Sequence, residues 1–145
     1  MGSDTPPVPE GYESVFESGF NGFLGPIYMK EISDQRRHFI LPVRPEHLNA
    51  GGVVHGGVLM SLADVALGVT VVRTTGRAAA TISLDSNFLA AGKLGEMLEA
   101  EAEVTRATRD VVFVKGRVYT EARTLLTAQG IWKHIRITPK VIDPS

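Results

Sequence analysis

Hydrophobic and polar positions fall into blocks of different period along this chain. Between Val58 and Val72 apolar residues fill nearly every position, with Val58, Leu59, Met60, Leu62, Ala63, Val65, Ala66, Leu67, Val69, Val71 and Val72 interrupted by a single charge, Asp64. A run of that length exceeds a strand. It predicts a helix from His55 or Gly56 to Val72 that is apolar on almost every side and so enclosed by protein. Thr74, Thr75, Gly76 and Arg77 close it. The segment 96–106 behaves differently, with Leu98, Ala100, Ala102 and Val104 alternating with Glu99, Glu101 and Glu103. That period of two predicts a strand with one packed and one wet face. Strand-like segments also occupy 79–89, 111–120 and 125–137. Ahead of the helix, apolar runs at 27–32 and 37–43 flank Ser33, Asp34 and Gln35, the pattern of a β-hairpin, and Pro42 and Pro45 end its second strand.

The N-terminal part is less regular. Residues 1–10 hold Pro6, Pro7 and Pro9 and read as a flexible tail, while 11–25 mixes glycines with Tyr12, Phe16, Phe20, Phe23 and Leu24. A short helix at about 12–17 followed by a turn is expected there. One buried helix followed by a series of antiparallel strands defines an α+β fold in which a curled sheet wraps the helix, as a single domain over 11–145. Such a sheet leaves edges, and pairing with a second copy satisfies them.

Length and composition remove several kinds of chemistry. A chain of 145 residues suits one domain, and the absence of cysteine excludes disulfides, thiolate nucleophiles and cysteine-bound metals. Its net charge of -1 offers no general attraction to nucleic acid or to an anionic membrane. The opening residues lack a basic start and an apolar run, so a cytoplasmic protein is expected, with no membrane span. His38, His47 and His134 fall at no metal-ligand spacing and read as loop or surface residues.

Two features carry candidate chemistry. Asp64 stands midway through the apolar helix, where an unpaired carboxylate costs several kcal/mol and therefore needs a partner or a task. It serves either as a catalytic group, or as a packing residue bonded to a nearby hydroxyl or amide, or as a group facing an interface. The second is the run from Asn49 through Gly51, Gly52, His55, Gly56 and Gly57 into the helix N-terminus. Free amides there can polarise a carbonyl, or the glycines merely supply a tight loop. Gly56 and Asp64 lie eight residues apart, about 12 Å along a helix. One reacting carbonyl must lie close to both, which a single chain cannot provide and two antiparallel helices from two copies can.

The run from Asn49 to Asp64 resembles the signature of the hotdog-fold acyl-CoA thioesterases, in the branch of the phenylacetic-acid-pathway (PaaI-like) and thioesterase superfamily member 2-like enzymes. Ser83-Leu84-Asp85, Phe88-Leu89-Ala90-Ala91 and Ala128-Gln129-Gly130 extend the similarity over about 27–137. The resemblance implies a hotdog fold and hydrolysis of aryl- or medium-chain acyl-CoA to a free acid and CoA, with no cofactor. It implies that Asp64 is the general base or nucleophile and that the Gly56 N–H polarises the thioester carbonyl. It further implies that Asn49 orients carbonyl or water, that His55 supports the loop, and that Ser83 positions water beside the carboxylate. It places Asp64 and Ser83 on one protomer and Gly56 and Asn49 on the other of a homodimer, within a homotetramer. Gly57, Val58, Leu59 and Met60 are then expected to line the acyl slot with the N-terminal aromatic segment. Arg73, Arg77, Lys93, Arg106 and Arg109 are candidates for the CoA phosphates. Two alternatives remain open: a non-catalytic acyl-CoA or ligand-binding module, and a hotdog hydratase or dehydratase using His55.

Overall fold

The alternation at 98–104 is realised as the middle of a long strand whose apolar residues face a helix and whose glutamates face away. The computed structural model describes residues 8–15 and 18–136. Its elements, in chain order, are β1 (Glu13–Val15), α1 (Gly19–Leu24), β2 (Ile27–Ser33), β3 (Arg36–Pro42), α2 (Gly56–Thr75), β4 (Ala79–Phe88), β5 (Met97–Ala107), β6 (Val111–Tyr119) and β7 (Thr124–His134). The strands form one antiparallel sheet in the order β1-β2-β3-β5-β6-β7-β4. Leu98, Ala100, Ala102, Val104, Val112, Val114, Val118, Leu126 and Trp132 join Leu59, Leu62, Ala63, Ala66 and Leu67 of α2 in one core. The curled sheet around one long helix is the arrangement expected from the sequence.

Two expectations need correction. The helix expected at 12–17 is instead the strand β1, with Glu13 opposite Met29 and Val15 opposite Ile27, and the helical turn follows at α1. A short isolated helix is a weak structure, whereas the open edge of β2 offers the backbone a ready ladder. Residues 16 and 17 lie outside the described residues, as do 1–7 of the expected tail and the last position, 137, of the final expected strand. The second correction concerns α2, which is not enclosed on every side. Its sheet-facing residues are buried, but Met60, Asp64 and Gly68 are only half-buried and Val72 is exposed. These four recur at one-turn spacing, so they form an open stripe along the helix. An all-apolar sequence gives no moment from which that stripe could be read. Helix α2 is long and apolar enough to cross a membrane, with a mean hydropathy of 1.5, yet half of it is buried within this fold.

Strand β4 is the last in the sheet and presents its free edge beside the open stripe of α2. Ile82, Phe88 and the following Leu89 are 59%, 54% and 58% exposed. These are large apolar side chains on an unpaired edge, the kind of surface that natural proteins normally cover.

Candidate active site

The loop before α2 is held by Asn49. Its side-chain Oδ1 accepts from the backbone N–H of Gly51 at 2.8 Å and of Val53 at 3.2 Å, and its own N–H donates to the Val53 carbonyl at 2.8 Å. With Oδ1 so engaged, the amide group that Asn49 can still offer is Nδ2, which only donates. Its possible partners are therefore acceptors, such as a carbonyl oxygen or the lone pair of a water.

His55 caps α2. Its Nδ1 accepts the Gly57 N–H at 2.7 Å, so the proton of the neutral ring resides on Nε2. The Val58 N–H bonds back to the His55 carbonyl at 2.9 Å. Within the first turn this leaves the Gly56 N–H as the donor with no acceptor among the described residues, at the positive end of the helix dipole. A Cβ on Gly56 would stand 3.2 Å from Cε1 of Phe88, so glycine allows this ring to lie directly against the helix start. His55 itself is positioned from behind, because its N–H donates to the His47 carbonyl at 2.8 Å.

His47 corrects an expectation. It lies in the loop between β3 and α2 but not at the surface: it is 3% exposed, accepting the Arg44 N–H at Nδ1 (2.9 Å) and facing the Leu24 carbonyl with Nε2 at 2.7 Å. Burial holds its imidazole below the ordinary range, opposed by the bond to Leu24 and reinforced by the Arg44 charge. His38, expected in a loop or at the surface, lies instead on β3 between the Tyr12 hydroxyl at 2.7 Å and Glu99 at 3.0 Å. His134 is half-buried at the end of β7. Among the described residues no group of three or more His, Asp or Glu is disposed to hold a metal.

Asp64 is half-buried on the open stripe of α2, and its Oδ1 accepts the Thr81 hydroxyl at 2.9 Å. The expected hydroxyl was that of Ser83. A bulge in the β4–β7 ladder explains the difference: Thr81 pairs with Trp132 and Ser83 with Ile131, leaving Ile82 as an extra residue. The extra residue reverses the alternation, so Thr81 faces the helix while Ser83 turns outward and Leu84 packs against the core. Thr81 is the site residue missed in the sequence, where nothing marks the bulge.

Two hollows meet at Asp64. The larger, of about 890 Å³, runs along α2 past Val65, Gly68 and Val72, with Thr81 and Trp132 on the sheet side. The smaller, of about 320 Å³, lies toward Met60, Ser61, Phe20 and Leu84. Of the residues expected in the acyl slot, Met60 borders the site. Leu59 is 2% exposed and Val58 packs against the core, so neither lines these hollows, and Gly57 contributes the N–H that His55 caps.

The expected phosphate-binding cations do not converge. Arg73 borders the larger hollow and pairs with Glu13 at 2.7 Å. Arg77 donates to the Arg109 carbonyl at 2.9 Å, which joins those two near the helix C-terminus. Arg106 is exposed on β5, and Lys93 lies at the other end of the molecule, one residue after the Gly92 carbonyl that accepts the Val54 N–H.

Comparison with known proteins places this geometry in context. Residues 51–127 match the family model of the thioesterase superfamily. A protein of Pseudomonas aeruginosa that carries an esterase name is 29% identical over 128 residues, which span 86% of this chain and 96% of that protein. Acyl-coenzyme A thioesterase 13 of Homo sapiens is 29% identical over 113 residues, spanning 77% of this chain and 80% of that protein. Among solved structures, the E. coli PaaI protein from the phenylacetic acid degradation operon aligns with a TM-score of 0.75 and 25% identity, over 81% of this chain and 85% of its own.

Proposed function

The chain belongs to the thioesterase superfamily, and on that premise we propose that it hydrolyses acyl-CoA thioesters to a free acid and CoA at sites shared between two copies of itself. The observation that carries this reading is the half-buried Asp64 carboxylate, bonded at Oδ1 to Thr81 and bordered by two hollows. A thioester needs that topology, because its reacting carbon sits between an acyl arm and a pantetheine arm. The name of the human relative, an acyl-coenzyme A thioesterase, supports acyl-CoA as the substrate class.

The second half of the site is the N-terminus of α2 from the other copy. Gly56 and Asp64 sit on one continuous helix, about 12 Å apart, so a single chain cannot bring both to one carbonyl. Two antiparallel helices can, with the open stripes facing and the β4 edges covered, and a homodimer then holds two equivalent sites. We extend this to a homotetramer as the complete assembly. In each site the Gly56 N–H and the Asn49 Nδ2 donate to the thioester carbonyl oxygen, where negative charge develops. Asp64 takes the proton of a water as its oxygen bonds to the carbonyl carbon, or adds to that carbon itself. Collapse of the tetrahedral species breaks the carbon–sulfur bond. In the water route Asp64 returns the proton to the departing sulfur; in the direct route CoA leaves as the thiolate, water hydrolyses the acyl–Asp64 anhydride and the proton set free goes to the thiolate, so both routes give carboxylic acid and CoA thiol and restore the carboxylate. His55 holds the loop through its cap on Gly57 and directs its Nε2 proton outward. This chemistry asks for no cofactor, because the thioester is already electrophilic.

The direct test is release of free CoA from a panel of aromatic and short- to long-chain acyl-CoAs, with Asp64→Asn and Asp64→Ala beside the parent. Both variants are expected to fold and assemble normally and to lose turnover by a factor on the order of 10²–10⁴, the scale for a general base. Undiminished turnover in either would remove Asp64 from the mechanism. Specific binding of acyl-CoA without turnover by the parent would favour a ligand-binding module.

A further inference from the structure

Two anchors set where the Gly56 N–H stands. One is the His47 carbonyl behind His55. The other comes from a segment distant in sequence, the connection between β4 and β5, where the Gly92 carbonyl accepts the N–H of Val54, two residues before Gly56, at 2.8 Å. The contact there is close. A Cβ on Gly92 would stand 3.0 Å from Cγ2 of Val54 and 3.1 Å from Cδ1 of Leu125, and both of those residues are buried. A shift of the Gly92 backbone is therefore passed to Val54 rather than absorbed. What fixes Gly92 is Arg123, in the turn between β6 and β7. Its Nη1 donates to Glu96 Oε2 at 3.0 Å and its Nη2 to Glu96 Oε1 at 2.7 Å, while its Nε donates to the Ala91 carbonyl at 3.0 Å with Nη2 on the same oxygen. Glu96 Oε1 also accepts the Lys93 N–H at 2.7 Å, and the Glu96 N–H donates to the Lys93 carbonyl at 3.1 Å. Ala91 and Lys93, on either side of Gly92, are thus held by one guanidinium–carboxylate pair. Only a planar fork of several N–H donors can serve a carboxylate and a carbonyl together.

We infer that Arg123 is a positioning residue for the thioester reaction: through Glu96 and the Ala91–Lys93 segment it fixes Val54, and so the direction in which the Gly56 N–H meets the substrate carbonyl. The inference rests on the thioesterase reading and deepens it. Arg123 touches no reacting atom. Its effect falls on the transition state, because a donor displaced by a fraction of an ångström still admits the substrate but meets the developing oxyanion at a poorer distance and angle. Loosening the clamp therefore costs kcat and spares KM.

The experiment measures kcat and KM for CoA release from the acyl-CoA that the parent turns over best, together with amide hydrogen exchange, on the full chain and on the Arg123→Met, Arg123→Lys and Arg36→Met variants. Arg36→Met is the control, since it removes a comparable ion pair, with Glu103 at 3.5 Å, on the sheet face turned away from α2. Arg123→Met is expected to lower kcat by about tenfold to a hundredfold, the scale for misplacing a group from a distance, with KM within about twofold of the parent. Exchange of the Val54 amide is expected to speed up at least about tenfold while the amides of β5 keep their parental rates. Arg123→Lys keeps a charge beside Glu96 but not the fork, so it is expected to fall between Arg123→Met and the parent. It carries the test if Arg123→Met fails to fold. A parental kcat or a parental Val54 exchange rate in a folded Arg123 variant overturns the inference while leaving thioesterase activity intact, and so does an equal fall of kcat in Arg36→Met. A parent that releases CoA from no acyl-CoA overturns the activity reading itself and the role of Arg123 with it.

Discussion

Thr81 and Ser83 stand two residues apart on β4, yet only Thr81 reaches Asp64. Thr81→Val, which keeps the shape and removes the hydroxyl, is expected to lower kcat by about tenfold, the scale of one net hydrogen bond lost from a charged group. Ser83→Ala is expected to leave kcat unchanged, and steady-state CoA release on both variants checks the pair. Asn49 allows a finer separation. Its Oδ1 organises the loop while its Nδ2 is the group assigned to the substrate. Asn49→Asp keeps an acceptor for the Gly51 and Val53 amides but replaces the donor, so it is expected to retain the parental melting temperature while kcat falls by a factor on the order of 10–10³. A parental kcat in that variant would remove Asn49 from the oxyanion contact. Asp64, Gly56 and Asn49 were legible as candidates because a charge in an apolar helix and glycines at its start are costly features that demand a reason. Thr81 was not, since its position depends on one unpaired residue in a ladder formed with a strand about fifty positions away.

At the scale of elements, the N-terminus of α2 is positioned by a buried histidine. His47 fastens the loop between β3 and α2 to the end of α1 through Leu24, and its carbonyl holds His55. Burial keeps its pKa below the ordinary 6.5, whereas the unfolded chain titrates at the ordinary value. On acidification the unfolded state therefore binds this proton first. The contribution of His47 to stability is complete above about pH 7 and declines as the pH falls below 6.5, with a slope of at most about 1.4 kcal/mol per pH unit until the folded-state value is passed. Urea unfolding of the parent at pH 7.5 and 5.5 is expected to show this loss. Carboxylates contribute little in that window; Glu96, held below its ordinary 4.5 by Arg123, loses its stabilising effect only at lower pH. His47→Gln, which can still accept from Arg44 and donate to Leu24, is expected to flatten the dependence. The sequence placed α2 and β2 through β7 within a few residues, because long runs and clean alternation fix period and length together. It misplaced the segment before β2, where three residues of strand and six of helix carry too little pattern to outweigh the pull of a sheet edge.

At the scale of the molecule, the proposed sharing of the site between two copies makes a prediction that a single-chain site does not. If Asp64 of one copy works with Gly56 and Asn49 of the other, then Asp64→Ala and Asn49→Asp, each impaired alone, complement one another. Every mixed dimer pairs the intact Asp64 of one chain with the intact Asn49 of its partner at one of its two sites. Unfolding and refolding an equimolar mixture is expected to restore about a quarter of the parental activity per chain, since half of the random dimers are mixed and each regains one site. Absence of recovery, with mixed dimers demonstrated by mass, would return the site to a single chain. The sequence by itself determined the α+β class, the long helix and the strand pattern, and it singled out a helical carboxylate and a glycine-rich helix start as candidates. All of these are written in local period, local cost and separation along one helix. Tertiary structure alone decided which stripe of an all-apolar helix stays open, which hydroxyl meets Asp64, that His47 is buried, and that the Trp132 indole lies against Gly68. Those outcomes depend on register and on contacts between distant segments, and neither leaves a periodic trace in the chain.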